Sequence, residues 1–184
     1  MKVTKEQAAL NKAAILRAAT DLYRERGIDG IGISELTKAA GLTHGGFYGH
    51  FPGGKEQLAA EAVCGAFADV LREWDTADSL ECIVVNYLAE QLTRELHERC
   101  PIPTLGSDVA RCGEKVRGAF TQGVKDMIIS LQTRIEGEHS DPEAHAKTMC
   151  LLASMAGAML MANALNDEAL SQEFTKAVTA YWSA

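Results

Sequence analysis

Proline is scarce in this 184-residue chain. Its four prolines, Pro52, Pro101, Pro103 and Pro142, all fall where a helical pattern pauses. Strand-type alternation is nearly absent, which excludes a sheet-built core and points to an all-α fold. The five cysteines, Cys64, Cys82, Cys100, Cys112 and Cys150, are odd in number, and no two form a C-x-x-C pair. A disulfide framework is therefore not expected, and a reducing compartment is. Basic charge is also short: 18 Lys plus Arg stand against 25 Asp plus Glu, a net charge of -7. That balance argues against a chain-wide nucleic-acid coat. Met1 to Leu10 carries Lys2, Lys5 and Glu6 and no apolar run, so a secretory signal is not expected and a cytoplasmic location is. Paired carboxylates, a Ser/His/Asp set and a phosphate loop are all missing, so neither an enzyme nor a cofactor is expected. His97-x-x-Cys100 could set two metal ligands on one helix face, but nothing nearby completes a set.

One stretch needs separate treatment. Thr148 to Asn166 contains no charged residue and is about long enough to span a bilayer. It holds polar Thr148, Ser154, Asn163 and Asn166, is rich in Ala and Gly, and has no basic flank. It reads as a buried helix at an interface, with no membrane role.

What is present is helix, in a chain 47% hydrophobic and 23% charged, with length enough for a sizeable core. The first helix is expected over Thr4 to Arg26, striped by Ile15, Leu16, Ala19, Leu22 and Tyr23 and ended by Gly27. Short helices follow at Ile33 to Ala40 and His44 to His50, and a longer one from Lys55 to about Arg72. Asp78 is expected to cap a helix reaching His97, and Cys100 to Thr104 reads as a proline-broken turn before a short helix at Leu105 to Arg111. Gly113 to Glu136, Ser140 to Leu165 and a last helix from Asp167 complete the chain. Cys64, Cys82 and Cys150 lie in apolar helical stretches and read as core.

The informative segment is Ile33 to Phe51, ISELTKAAGLTHGGFYGHF. Two short helices meet at the turn Gly41-Leu42-Thr43, the proportion of a helix-turn-helix whose second helix enters the major groove. Leu36, Ala39, Ala40, Leu42 and Phe47 are spaced to form the small core between them. Thr43, His44, Gly45, Gly46, Tyr48 and His50 are left to face outward. Gly45 and Gly46 weaken the helix by about 1 kcal/mol each relative to Ala, yet they let backbone approach DNA closely. Tyr48 offers a hydroxyl to a phosphate, and Lys55 adds charge in the first turn of the next helix. Ser34 and Thr37, on the first helix of the pair, join the DNA-contacting candidates.

With these residues in view, Ala14 to Ala62 resembles the TetR family of bacterial regulators. The matching features are Ile15-Leu16 with Ala18 and Ala19, Tyr23 four residues before Gly27, Leu36-x-x-Ala39-Ala40-Gly41-Leu42-Thr43, Phe47-Tyr48-x-His50-Phe51, and Lys55-x-x-Leu58. Lys55 stands four residues after Phe51 where the family pattern usually has three, a spacing similar to that of the lincomycin-resistance repressor subgroup. Arg99 to Ala110 is similar to a stretch in the branch that includes an N-ethylmaleimide-responsive repressor, where the cysteine matching Cys100 can be a reactive sensor. The resemblance implies an N-terminal three-helix DNA-binding domain (1–60) and a larger C-terminal ligand-binding and dimerisation domain (61–184). It implies a homodimeric repressor on a double-stranded, palindromic DNA operator, released by a small-molecule effector. The alternative is a thiol-based redox or electrophile sensor acting through Cys100.

Pocket lining is expected from Phe67, Leu71, Tyr87, Cys100, Leu105, Phe120, Val124 and Met155. Dimer contacts are expected from Ala153, Ala156, Gly157 and Leu160, a stripe at helical spacing, and from Phe174, Val178 and Tyr181 on the last helix. The charge divides with these halves. Residues 1–60 hold 8 Lys plus Arg against 6 Asp plus Glu, a net of +2, and residues 61–184 hold 10 against 19, a net of -9. The acidic surplus leaves a mildly basic head, with Lys2, Lys5, Lys12 and Lys55 available for phosphates.

Overall fold

The computed structural model describes residues 4–43, 46–90, 92–136 and 142–182. Among these residues the chain is helical and carries no strand. The helices are α1 (Lys5–Arg26), α2 (Ile33–Ala39), α3 (Phe47–His50), α4 (Gly54–Asp75), α5 (Leu80–Glu90), α6 (Pro101–Val109), α7 (Glu114–Glu136), α8 (Pro142–Ala164) and α9 (Glu168–Trp182), with a 3₁₀ turn at Leu96–Glu98.

Local chemistry explains the ends. Thr4 accepts the Gln7 N–H at 3.1 Å and starts α1. Gly27, at φ 79°, ends it with its N–H on the Tyr23 carbonyl at 2.8 Å. Two expectations change. The helix foreseen from Asp78 to His97 is capped by Ser79, whose hydroxyl accepts the Cys82 N–H at 3.1 Å, and it stops at Glu90. Beyond it Arg94 reaches back to Glu73 of α4, at 2.7 and 2.9 Å. The foreseen turn at Cys100 to Thr104 is instead the start of α6. Pro101 sits at the first helical positions, where a missing N–H costs nothing.

The chain packs as two compact units. The first joins residues 1–67 to residues 96–122. Its core takes Ile15, Ala19 and Tyr23 from α1, Leu36 from α2, Phe47 and Phe51 around α3, Leu58 and Val63 from α4, and Leu105 and Val109 from α6. The second joins 68–95 to 123–184. There Ile83, Val84 and Leu88 of α5, Met127 and Leu131 of α7, and Leu151, Met155 and Met159 of α8 are buried. Ser171 ties α9 to the end of α8 by donating to the Ala162 carbonyl at 3.2 Å. No described helix is long and apolar enough to cross a membrane. The uncharged stretch from Thr148 lies largely in α8, whose Thr148, Leu151, Leu152, Met155 and Met159 are buried by the protein itself. Cys64 and Cys150, read as core, are exposed, because each falls on the outward face of its helix.

In the first unit, α6 is stitched to the end of α1. The Asp108 carboxylate accepts the Ile28 N–H at 3.1 Å and occupies the space above Gly27, where an added Cβ would collide with it. The Arg24 side chain is buried and donates to the carbonyls of Thr20 at 3.1 Å and Arg99 at 3.2 Å. Gly27→Ala is therefore expected to destabilise the protein by about 1–3 kcal/mol, from the positive φ and the collision together. Thermal melts of Gly27→Ala, Asp108→Ala and the double variant check it. The double variant should lose clearly less than the two single losses combined, because removing Asp108 also removes the collision.

Candidate nucleic-acid interface

The site is built on α2, the turn after it, and α3. Helix α2 closes with Gly41 at φ 70°, its N–H on the Lys38 carbonyl at 3.0 Å, while the Leu42 N–H reaches the Thr37 carbonyl at 2.8 Å. This double closure needs a left-handed residue, and glycine supplies it. Thr43 and Gly46 are exposed, and the Gly46 N–H meets the Thr43 carbonyl at 3.3 Å. His44 and Gly45 lie outside the described residues.

Helix α3 is a single turn. Phe47 and Phe51 are fully buried, with ring centroids 5.3 Å apart and planes at 28°. Tyr48 lies edge-on to Phe47 at 5.2 Å and is 54% exposed. His50 is half-buried at the last position. The next helix opens at Gly54, at φ 68°, one residue earlier than expected, and Lys55 stands half-exposed in its first turn. Gln57 accepts the Gly53 N–H at 2.8 Å and donates to Glu61 at 2.8 Å. Lys12 pairs with Glu61 at 2.9 Å and lies 5.3 Å from the centre of the Phe51 ring. Partial burial raises the Glu61 pKa, but hydrogen bonds from Lys12 and Gln57 and the Lys12 charge outweigh it and hold the carboxyl below its ordinary value.

The expected contact residues thus fall into three groups. Ser34, Thr43, Gly46 and Tyr48 are exposed on or beside the two short helices, and His50 and Lys55 are half-exposed. Thr37 corrects the list. It is 1% exposed and its hydroxyl donates to the carbonyls of Ile33 at 3.0 Å and Ser34 at 3.1 Å, so it offers nothing to a ligand. Lys12 is already spent on Glu61. In the inter-helix core, Leu36 and Phe47 are buried as expected, whereas Ala39 is exposed and Ala40 and Leu42 are half-buried. The Gly53–Gln57–Glu61–Lys12 chain was not foreseen. Its signal was the spacing of Gln57 and Glu61, one helical turn apart.

The expected pocket residues do not gather in one unit. Phe67, Cys100, Leu105 and Phe120 belong to the first, where Phe67 and Phe120 meet edge-on at 5.2 Å. Leu71, Tyr87, Val124 and Met155 belong to the second. A cavity of about 210 Å³ in the second unit has Tyr87 on its wall, beside Glu73, Trp74, Ile83, Asn86 and Arg94. Cys100 is fully buried at the start of α6. Burial raises the Cys112 pKa, Asp29 and Asp108 add to the shift, and Arg111 and Lys55 oppose it. Burial likewise pushes the Tyr23 hydroxyl well above its ordinary value, with Cys112 adding to the shift. His97 Nδ1 lies 3.0 Å from a Glu25 oxygen but lacks the alignment of a hydrogen bond. Among the described residues no three His, Cys, Asp or Glu side chains are grouped to hold a metal.

The expected dimer residues share α8 and α9. Ala153, Leu160, Phe174 and Tyr181 are exposed, with Leu160 at 50% and Tyr181 at 76%. Gly157 and Val178 are half-buried, and Ala156 is buried. Met161, Leu170 and Met149 extend the exposed apolar surface of the same two helices.

Comparison with known proteins agrees with this geometry. Residues 15–62 match the family of bacterial regulatory proteins called the tetR family. The chain is 30% identical over 125 residues to the HTH-type transcriptional regulator LmrA of Bacillus subtilis, a match covering 63% of this chain and just under two thirds, 66%, of LmrA. It is 26% identical over 160 residues to the uncharacterised HTH-type transcriptional regulator Rv0196 of Mycobacterium tuberculosis, covering 82% of each. The crystal structure of reduced NemR from E. coli superposes with a TM-score of 0.79 at 22% identity, over 93% of this chain and 94% of that one. A TetR-family regulator from Agrobacterium tumefaciens superposes at 0.76 with 19% identity, over 95% and 98%.

The two neighbouring aromatics of α3 should behave oppositely. Phe47→Ala is expected to cost about 3–5 kcal/mol by emptying the core, and Tyr48→Ala within about 0.5 kcal/mol. Urea denaturation of both variants decides it. A large loss at Tyr48 would mean that this side chain is structural.

Proposed function

We propose that this chain, whose residues 15–62 match the tetR family of bacterial regulatory proteins and which is 30% identical to an HTH-type transcriptional regulator, is a DNA-binding transcriptional regulator of that family, a homodimeric repressor released from a palindromic operator by a small-molecule effector. It would work in the cytoplasm as a regulator and not as an enzyme. Residues 1–60 would form the DNA-reading head, and residues 61–184 would bind the effector and dimerise.

One observation carries the reading of DNA. Tyr48 projects outward from a one-turn helix whose flanking phenylalanines are both buried, and Ser34, Thr43 and Gly46 are exposed and Lys55 half-exposed on the neighbouring elements. Such a turn can enter a major groove without its own side chains blocking the approach. Tyr48 and Lys55 would hold phosphates and Thr43 and His44 would face base edges, with Gly45 leaving the backbone bare. His50 sits at the rim of the same turn. The dimer reading is supported by the exposed apolar side chains of Leu160, Met161, Phe174 and Tyr181 on α8 and α9. Two copies related by a two-fold axis would then present two heads to two half-sites.

A second reading has Cys100 as a thiol sensor acting on the same head. Its support is position: Cys100 caps the N-terminus of α6, where helix dipoles stabilise a thiolate, and the adjacent Arg99 carbonyl holds the α1 residue Arg24. Its full burial stands against fast reaction with a reagent.

Binding of the purified protein to duplex from upstream of its own gene, followed by fluorescence anisotropy over a salt series, tests the leading reading. Affinity should fall steeply with salt. Lys55→Ala should weaken binding uniformly and reduce the salt slope by about 1. Leu160→Glu should yield monomers in sedimentation and lose most of the affinity. Salt-independent binding, or none, would sink the repressor reading.

The sensor reading makes a separate prediction. Cys100→Ser should abolish release of DNA by a thiol reagent while leaving DNA affinity unchanged. Equal release in both proteins would remove it.

A further inference from the structure

Trp74 and Tyr87 form a wall of the small cavity in the second unit. Their rings meet edge to face, with centroids 6.3 Å apart and planes at 64°. Ile83 adds a buried aliphatic surface, and Ala77 leaves room at the turn after α4. The backbone of this wall is pinned, because the Trp74 carbonyl accepts from Arg134 Nη2 at 2.7 Å and from the Ala77 N–H at 3.1 Å. The polar lining is Glu73, Thr76, Asn86 and Arg94.

Size limits the occupant. A volume of about 210 Å³ is the share of roughly seven liquid waters, and it falls short of the roughly 300 Å³ at which sites for drug-sized ligands begin. One ring fits. Only a small part of Trp74 and Tyr87 reaches the cavity, at 4% and 3% exposure, and that aromatic surface favours a ring that can meet it in the offset geometry such pairs prefer.

Charge limits it further. The two charged groups of the lining already answer each other: Arg94 Nη1 donates to both Glu73 oxygens, at 2.9 and 2.7 Å. An anion would have to draw Arg94 from Glu73, and a cation would have to draw Glu73 from Arg94. Either exchange breaks a half-exposed ion pair, a modest cost because water can take up the freed charge. A neutral ligand leaves the pair intact and can use Asn86 for hydrogen bonds; the Thr76 hydroxyl already donates to the Glu73 carbonyl at 2.8 Å and is left only as an acceptor.

We propose that this cavity is a binding site for a neutral, single-ring aromatic compound bearing a hydrogen-bonding substituent, of the phenol class. The inference concerns binding alone and stands or falls separately from release of DNA by an effector.

The chain has two tryptophans, Trp74 and Trp182. Trp182→Phe in the full-length protein makes Trp74 the sole reporter. Phenol, benzoate and benzylammonium are titrated at neutral pH against its fluorescence. Phenol should give a saturable change in the millimolar range, as a small ligand allows, and both ions should bind about two- to fivefold more weakly, the loss expected from breaking a half-exposed ion pair. Ala77→Leu, and Asn86→Leu on α5, should each abolish the saturable change while keeping the helical circular dichroism of the parent. If one of them fails to fold, the other decides. A non-saturating response to phenol, unchanged affinity in a folded blocked variant, or a charged probe binding as tightly as phenol would overturn the proposal.

Discussion

A helix of four residues with a glycine inside it cannot sustain itself in water, because nucleating a turn costs more than its one or two hydrogen bonds return. Helix α3, Phe47–His50, is such a helix, with Gly49 in its middle. Two buried phenylalanines one turn apart hold it. Burying each contributes about 1.5–3 kcal/mol, enough together to offset glycine penalties of about 1 kcal/mol apiece. The same pair decides what faces out, since the next two residues after an inward one are turned about 100° and 200° away from it, whereas the third, His50, returns toward the buried face and is half-buried. Tyr48 is therefore exposed because Phe47 and Phe51 are not. Lys12 closes the arrangement from outside, resting near the Phe51 ring while it pairs with Glu61.

The junction of α1 with α6 is the second constraint on the first unit. A buried cation is costly unless its donors are used. Arg24 uses them on the Thr20 and Arg99 carbonyls, with Asp21 3.6 Å away. Asp108 works in the opposite sense, placing a carboxylate on the Ile28 N–H just past the end of α1. The turn leading into α2 is thus held by a residue eighty positions further along the chain, and Gly27 is bare because that carboxylate fills the space a side chain would need. The carboxylates there also contribute to the raised Cys112 pKa, after burial itself. That keeps this thiol protonated and slow to react.

Much of this was readable in order along the chain. Thr4 and Gly27 marked α1, and Gly41 marked the end of α2, since caps and left-handed glycines are local chemistry. The exposure of Thr43, Gly46 and Tyr48 followed from helical spacing. The misreadings came where local signals competed with distant partners. Pro101 looked like a break and proved to be a start, because proline does both and only the surrounding chain chooses. Nothing local stopped α5 at Glu90, and Arg94 lies beyond it, paired with Glu73 of α4. Thr37 looked available and spends its hydroxyl on its own helix. The expected pocket residues had apolar periodicity in common and divide between the two units, since periodicity reports which face is buried and not against what.

Composition and spacing by themselves pointed to an all-α fold, to charge divided between a mildly basic first third and an acidic remainder, and to a pair of short helices between Ile33 and Phe51. These are properties of short windows and sums, and they survive without knowing a single long-range contact. Tertiary structure alone decided that residues 96–122 pack with the N-terminal helices, that Lys12 is spent on Glu61, and that Trp74 and Tyr87 meet around a cavity with a neutralised rim. Each depends on side chains brought together across tens of residues, and closing such a loop costs an entropy that only the completed packing repays.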